Sequence, residues 1–160
     1  MSKSKKIGEF WHFQDLRALV FSGGGLCGGA FGSAIELLDS IMKTLGLCRH
    51  KQIKEYGGTS VGAIFATMLV LGFTPHEALV EFQKFEMPMV GDGVVGLLHN
   101  RAVMDVTKFR DQLCKWISYF GEVPHITFAQ LFQNTGKKLV IAATLLNEYK
   151  AIYFSYTLTP

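Results

Sequence analysis

The sequence predicts an α/β domain, a mainly parallel central sheet with helices on both faces. Three observations lead there. Leu16 to Phe21, apolar but for Arg17, is closed by Ser22 and three glycines, the form of a buried strand. Ile35, Leu38, Ile41, Met42 and Leu45 then recur at helical spacing. A second short strand, Ile53 to Gly57, runs into Gly58-Thr59-Ser60-Val61-Gly62 and a further helix. Strands separated by helical crossovers pair in parallel, and such sheets bind ligands at the carboxyl ends of their strands.

Taken in order, residues 1–15 form an irregular extension whose cluster Phe10-Trp11-His12-Phe13 packs on the domain edge, and residues 16–160 form the domain. The first strand gives way to Gly23-Gly24-Gly25-Leu26-Cys27-Gly28-Gly29, which opens a helix from about Ala30 to Leu45, ended by Gly46. The helix Val61 to Leu71 is apolar nearly all round and belongs in the core, with Gly72 as its stop. Thr74-Pro75-His76-Glu77 is a capping box with proline at the first helical position, starting a helix to about Phe85. Glu86 to Met104 reads as a long loop with one helical turn near Val94 to His99, of a length that often marks a lid or binding segment. A helix from Thr107 to about Tyr119 stops at Gly121, and a second capping box, Thr127 to Gln130, starts a short helix that stops at Gly136. Lys138 to Leu146 and Ala151 to Ser155 are strands around the turn Asn147-Glu148-Tyr149-Lys150.

Composition narrows the function. In 160 residues, 49% hydrophobic and 18% charged, there is one well-buried domain or part of one. A net charge of +3 spread along the chain does not point to nucleic acid. The basic start around Lys3, Lys5 and Lys6 reads first as a solvated tail, and second as a weak pull toward anionic lipid. No apolar signal segment follows it, and the longest apolar run, Val61 to Phe73, is too short to span a bilayer. Cys27, Cys48 and Cys114 are odd in number and scattered, as expected of reduced thiols in an intracellular setting, with no zinc spacing.

Two glycine motifs carry the chemistry. Gly58-x-Ser60-x-Gly62 is the pattern of a nucleophile elbow. A serine there stands on a sharp strand-to-helix turn, and glycines two residues to either side remove side chains that would collide. The helix from Val61 aims its N-terminal amides at the serine and favours negative charge there. The pentapeptide alone also fits an ordinary strand–turn–helix junction.

Gly23-x-Gly25-x-x-Gly28 has three readings. A dinucleotide fingerprint needs an acidic residue closing the next strand, and Asp39 falls inside a helix instead. A P-loop needs Gly-Lys-Ser/Thr, which Cys27-Gly28-Gly29 does not supply. The third is an oxyanion hole, with backbone amides of Gly23, Gly24, Gly25, Leu26 and Gly28 turned toward a substrate oxygen close to Ser60. The two motifs in this order point to acyl transfer.

Together these residues resemble the patatin-like phospholipases. The likeness is carried by Leu19-Val20-Phe21-Ser22-Gly23-Gly24-Gly25 and by Tyr56-Gly57-Gly58-Thr59-Ser60-Val61-Gly62-Ala63. It continues in Phe154 to Pro160, and Phe73 to Leu139 carry little of it. The resemblance implies a three-layer α/β/α fold and hydrolysis of lipid acyl esters, of phospholipase A type or related, by a Ser–Asp dyad without histidine. Ser60 would be the nucleophile and the glycine loop the oxyanion hole, with a phospholipid or other lipid ester as substrate and a peripheral membrane contact. No metal or cofactor is implied.

Two departures stand out. The family usually has a basic residue where Cys27 stands, and its Asp-Gly-Gly/Ala follows the Thr-Pro segment, beyond Pro160 here. An unaided serine is a poor nucleophile and needs a base. Asp92-Gly93 reads as a loop turn, Asp105 as a helix-entry residue and Asp111 as an exposed helix residue, while His12, His50, His76, His99 and His125 show no pairing pattern. Cys27 fits a small buried filler, or a thiol activated by a helix N-terminus.

The expectation is therefore the N-terminal part of a hydrolase domain whose Asp lies further on. Such a piece leaves a sheet edge and part of the core uncovered, which invites self-association. The alternative is a catalytically inactive lipid-binding or structural module.

Overall fold

The computed structural model describes residues 13–85 and 105–159. The expectations for Phe10 to His12, Asp92, His99 and the loop 86–104 lie outside the described residues. After a 3-10 turn at Phe13–Asp15 comes strand β1 (Ala18–Phe21), and after a second 3-10 turn (Gly25–Gly28) come helix α1 (Gly29–Thr44) and the short α2 (Arg49–Gln52). Strand β2 (Glu55–Thr59) leads to α3 (Val61–Leu71) and α4 (Pro75–Lys84), and beyond residue 104 follow α5 (Val106–Tyr119), α6 (Phe128–Thr135), β3 (Lys138–Leu145) and β4 (Lys150–Phe154).

The sheet order is β1-β2-β3-β4, with β1, β2 and β3 parallel and β4 returning antiparallel beside β3. An α/β fold with a mainly parallel sheet is thus what the chain forms. The strand reach differs slightly from expectation: β1 starts at Ala18 and not Leu16, and β2 runs through Thr59 and not to Gly57. The two glycines of β2 are therefore ladder residues. Gly58 pairs in register with Phe21 on one side and with Ile141 on the other.

Helix ends follow local chemistry. Gly46, Gly72, Gly121 and Gly136 all carry positive φ where helices stop. Both capping boxes close: Thr74 Oγ1 accepts from the Glu77 amide at 3.2 Å while Glu77 Oε2 accepts from the Thr74 amide at 2.8 Å. Thr127 and Gln130 do the same at 3.2 and 2.9 Å. Asp105 caps α5 by accepting from the amides of Thr107 and Lys108.

The core lies between the sheet and α3, whose Phe65, Ala66, Met68, Leu69 and Val70 are fully buried. An aromatic row crosses it from β1 through α1 and α3 to α4, with ring centroids of Phe21–Phe31, Phe31–Phe65 and Phe65–Phe82 at 5.5, 5.8 and 5.3 Å. Each such pair adds about 1 kcal/mol beyond the area it buries.

Side-chain alternation along the strands puts Leu19, Phe21, Tyr56, Leu139 and Ile141 on this core face. The other face, with Val20, Gly57, Val140, Ala142 and Tyr153, is open among the described residues. Val20 is 80% exposed and Tyr153 53%, and a groove of about 440 Å³ runs across it.

Candidate active site

Because β1 and β2 are parallel, the bends that follow them leave the sheet at the same end. Ser60 sits between β2 and α3 with φ 54° and ψ −132°. A non-glycine residue is rarely found there, and the position costs on the order of 1–3 kcal/mol. The elbow glycines are required sterically. A Cβ on Gly58 would run into the carbonyl oxygen of Gly62, and one on Gly62 into the carbonyl oxygen of Ser22. That second clash crosses from one bend to the other.

The glycine loop meets the elbow at two more points. A Cβ on Gly23 would lie 3.5 Å from Ser60 Cβ, and one on Gly28 only 2.7 Å from Val61 Cγ2. Gly25 takes φ 51°, a conformation open to glycine, as the loop enters its 3-10 turn. The backbone of Leu26 and Cys27 lies in that turn, ahead of α1. Of the residues singled out from the sequence, Gly23 and Gly28 of the loop lie against Ser60 and Val61 of the elbow, whose Gly58 and Gly62 make the turn possible.

Ser60 is exposed, and its Oγ makes no hydrogen bond among the described residues. None of the described acidic or imidazole groups engages it. Asp105 is occupied as a helix cap, Asp111 faces Arg110 at 3.4 Å, and His76 faces Glu36 at 3.5 Å on the surface. Asp39 instead receives Arg49, with Nε to Oδ1 at 2.6 Å and Nη2 to Oδ2 at 3.1 Å. Among the described residues there is no group of three His, Cys, Asp or Glu that could hold a metal, and no helix long and apolar enough to cross a membrane.

Beside Ser60 opens a cleft of about 300 Å³, lined from α3 by Val61, Ala63, Ile64 and Thr67, and otherwise by Phe85, Phe109, Leu113 and Ile141. Sequence reasoning did not single these out. Their helical spacing reads as core, and only the fold shows that one stripe borders the serine.

Comparison with known proteins gives a consistent picture. A family model described as patatin-like phospholipase matches residues 19–160. An uncharacterized protein R571 of Acanthamoeba polyphaga mimivirus is 28% identical over 99% of this chain and 50% of its own length. A probable lipid hydrolase 463L of invertebrate iridescent virus 6 is 27% identical over 90% of this chain and 48% of its own. The chain thus spans about half the length of these curated relatives. Among solved structures, the type III effector ExoU superposes with a TM-score of 0.55 at 19% identity, over 91% of this chain and 37% of that one. ExoU in complex with SpcU, from Pseudomonas aeruginosa, gives 0.54 at 18%, over 91% and 34%. These likenesses bear on the fold.

Proposed function

Since the chain belongs to the patatin-like phospholipase family, we propose that it is the nucleophile-bearing part of a serine lipid acyl hydrolase, of phospholipase A type or a related lipid esterase. The observation that carries this reading is the interlock of the two bends, which sets the Gly23–Gly28 loop against Ser60. The viral relative named as a probable lipid hydrolase supports the substrate class.

Ser60 is the nucleophile. An Asp carboxylate from chain beyond Pro160 takes the proton from its Oγ as that oxygen adds to the ester carbonyl. The carbonyl oxygen becomes an oxyanion and receives hydrogen bonds from the amides of Gly24, Gly25 and Leu26. One such donor contributes about 3 kcal/mol in the transition state. Collapse breaks the C–O bond to the alcohol, which leaves with the proton from the Asp. Water then adds to the acyl–Ser60 carbonyl, giving the Asp one proton, and the fatty acid leaves as Ser60 regains its own. The amino end of α3 lowers the energy of negative charge at this spot by about 0.3–1 kcal/mol.

The enzyme works at a membrane surface, on its cytoplasmic side. The sheet face around Val20 and Tyr153, open among the described residues, is where isolated copies of this chain associate. In the full-length protein a fluorophosphonate probe should label Ser60, and label that persists in Ser60→Ala would overturn the assignment.

The second reading is an inactive lipid-binding or structural module, favoured by the absence of a base on Ser60 Oγ among the described residues. An Asp-Gly-Gly or Asp-Gly-Ala in the protein beyond residue 160, together with labelling, excludes it.

A further inference from the structure

We propose that the tip of the β3–β4 hairpin, Leu146 with Tyr149, dips into the interfacial layer of a phospholipid bilayer and so presents Ser60 to it. The inference rests on the hydrolase reading and adds to it the surface by which the protein meets its substrate.

Strand register places the tip. Ala142 pairs with Thr59, the last residue of β2 before the serine. Beyond that level β3 pairs with β4, Ala143 with Ile152, Thr144 with Ala151 and Leu145 with Lys150. Three more ladder positions, at about 3.3 Å each, carry the hairpin about 10 Å past the end of β2. Because β3 runs parallel to β2, the projection lies at the carboxyl end of the sheet, the end that holds Ser60.

The tip exposes what a core would bury. Among the described residues Leu146 is 77% exposed and Tyr149 91%. Tyr149 makes the turn with φ 51°, a strained conformation for a tyrosine. Glycine would close the hairpin there without strain, so the turn itself gives no reason for an aromatic ring. Charge at the tip is cancelled, since Lys150 Nζ donates to Glu148 Oε2 at 3.0 Å.

A bilayer interface suits this chemistry. A phenol ring there lies in apolar surroundings while its hydroxyl stays wet, and a neighbouring leucine reaches deeper. Two side chains fall well short of the roughly 800 Å² per partner that a stable protein interface buries. Insertion into lipid, by contrast, gains affinity one side chain at a time.

The basic surface lies at the other end. Arg17, Lys51 and Lys54 border a groove there, with Arg17 just ahead of β1 and Lys54 just ahead of β2. A membrane drawn to that groove would face away from Ser60. Contact through the tip therefore needs no anionic lipid and survives high salt.

The test uses full-length Ser60→Ala protein and vesicles of phosphatidylcholine alone. Flotation in high salt should show binding, weakened about tenfold by Leu146→Ser and again by Tyr149→Asn. Neither variant should lower the urea midpoint, because both side chains are exposed and asparagine accepts a positive φ. Tyr149→Trp should be quenched by brominated phosphatidylcholine beyond the quenching of the parent protein's own tryptophans. No binding, binding that requires phosphatidylserine and is lost in salt, or an unquenched Tyr149→Trp each overturns the proposal.

Activity separates this failure from that of the hydrolase reading. With Ser60 present, the two tip variants should lose rate on vesicle phospholipid in step with binding. Their kcat/KM on monomeric p-nitrophenyl butanoate should match wild type. Equal loss on both substrates rejects the tip and leaves the hydrolase. Quenching at Tyr149→Trp without fluorophosphonate labelling of Ser60 keeps the membrane contact and removes the hydrolase.

Discussion

The two ends of the sheet are built on opposite terms. At the amino end, Arg49 is 2% exposed, yet every face of its guanidinium is occupied. Asp39 of α1 takes two of its nitrogens, Tyr56 Oη accepts from Nη1 at 3.3 Å, and His50 Nε2 lies 3.3 Å from Nη2. Lys137 closes the group, reaching the Leu69 carbonyl at 3.3 Å and lying over the Tyr56 ring. At the carboxyl end, Ser60 is held in a strained backbone with a hydroxyl that meets no partner among the described residues. One end ties α1, α2 and β2 together through satisfied charges. The other keeps a reactive group unsatisfied, and backbone contacts between two bends hold it there.

That contrast can be broken at either end. The largest loss is expected from Gly62→Ala, because its Cβ meets backbone, the carbonyl of Ser22, and no rotamer relieves it. It should destabilise by about 4 kcal/mol or more in urea unfolding. Wild-type stability would mean that the bends are not interlocked.

Next comes Arg49→Met, which leaves Asp39 facing an apolar chain. Because Asp39 is a third exposed, the cost sits near the low end for such pairs, about 3 kcal/mol. Adding Asp39→Asn should recover part of it, so a double-mutant cycle that shows simple additivity would dissolve the network.

Ser60→Gly should run the other way. Relief of the positive φ, less the flexibility glycine adds to the unfolded chain, leaves a gain of about 1 kcal/mol, while fluorophosphonate labelling vanishes. A destabilised Ser60→Gly would show that the elbow is not strained.

The smallest effect is a pH dependence at the amino end. Burial, then the charges of Arg49 and Lys137, hold His50 below the ordinary imidazole range. The unfolded chain therefore binds more protons over the window just below about pH 6.5, so stability falls as pH falls through it. His50→Gln, which keeps an acceptor for Arg49, should flatten that part of the urea-midpoint profile. An unchanged profile would place the titration elsewhere.

What could be read from the sequence was what is encoded locally. Thr74 with Glu77, and Thr127 with Gln130, satisfy one another within four residues, so the starts of α4 and α6 were legible to the residue. Gly72 and Gly136 marked the stops of α3 and α6 for the same reason. Gly58 and Gly62 announced a tight turn around Ser60, and the parallel sheet followed from the crossovers. The short helix α2 was not foreseen. Arg49 takes its role from Asp39, ten residues earlier on another helix, and from Tyr56 on a strand, and no periodicity joins the three. The cleft beside Ser60 was hidden for a related reason: Phe109 and Leu113 obey the spacing of any core-facing helix, and only the fold makes them neighbours of Ser60.

Each of the two bends serves as the mould for the other, with Gly28 seated against Val61 and Gly62 against Ser22. Neither can be transplanted or redesigned by itself. A chimera between this chain and a viral relative whose junction falls between Phe21 and Gly62 would have to match both casts at once, whereas junctions outside that stretch leave the pair intact.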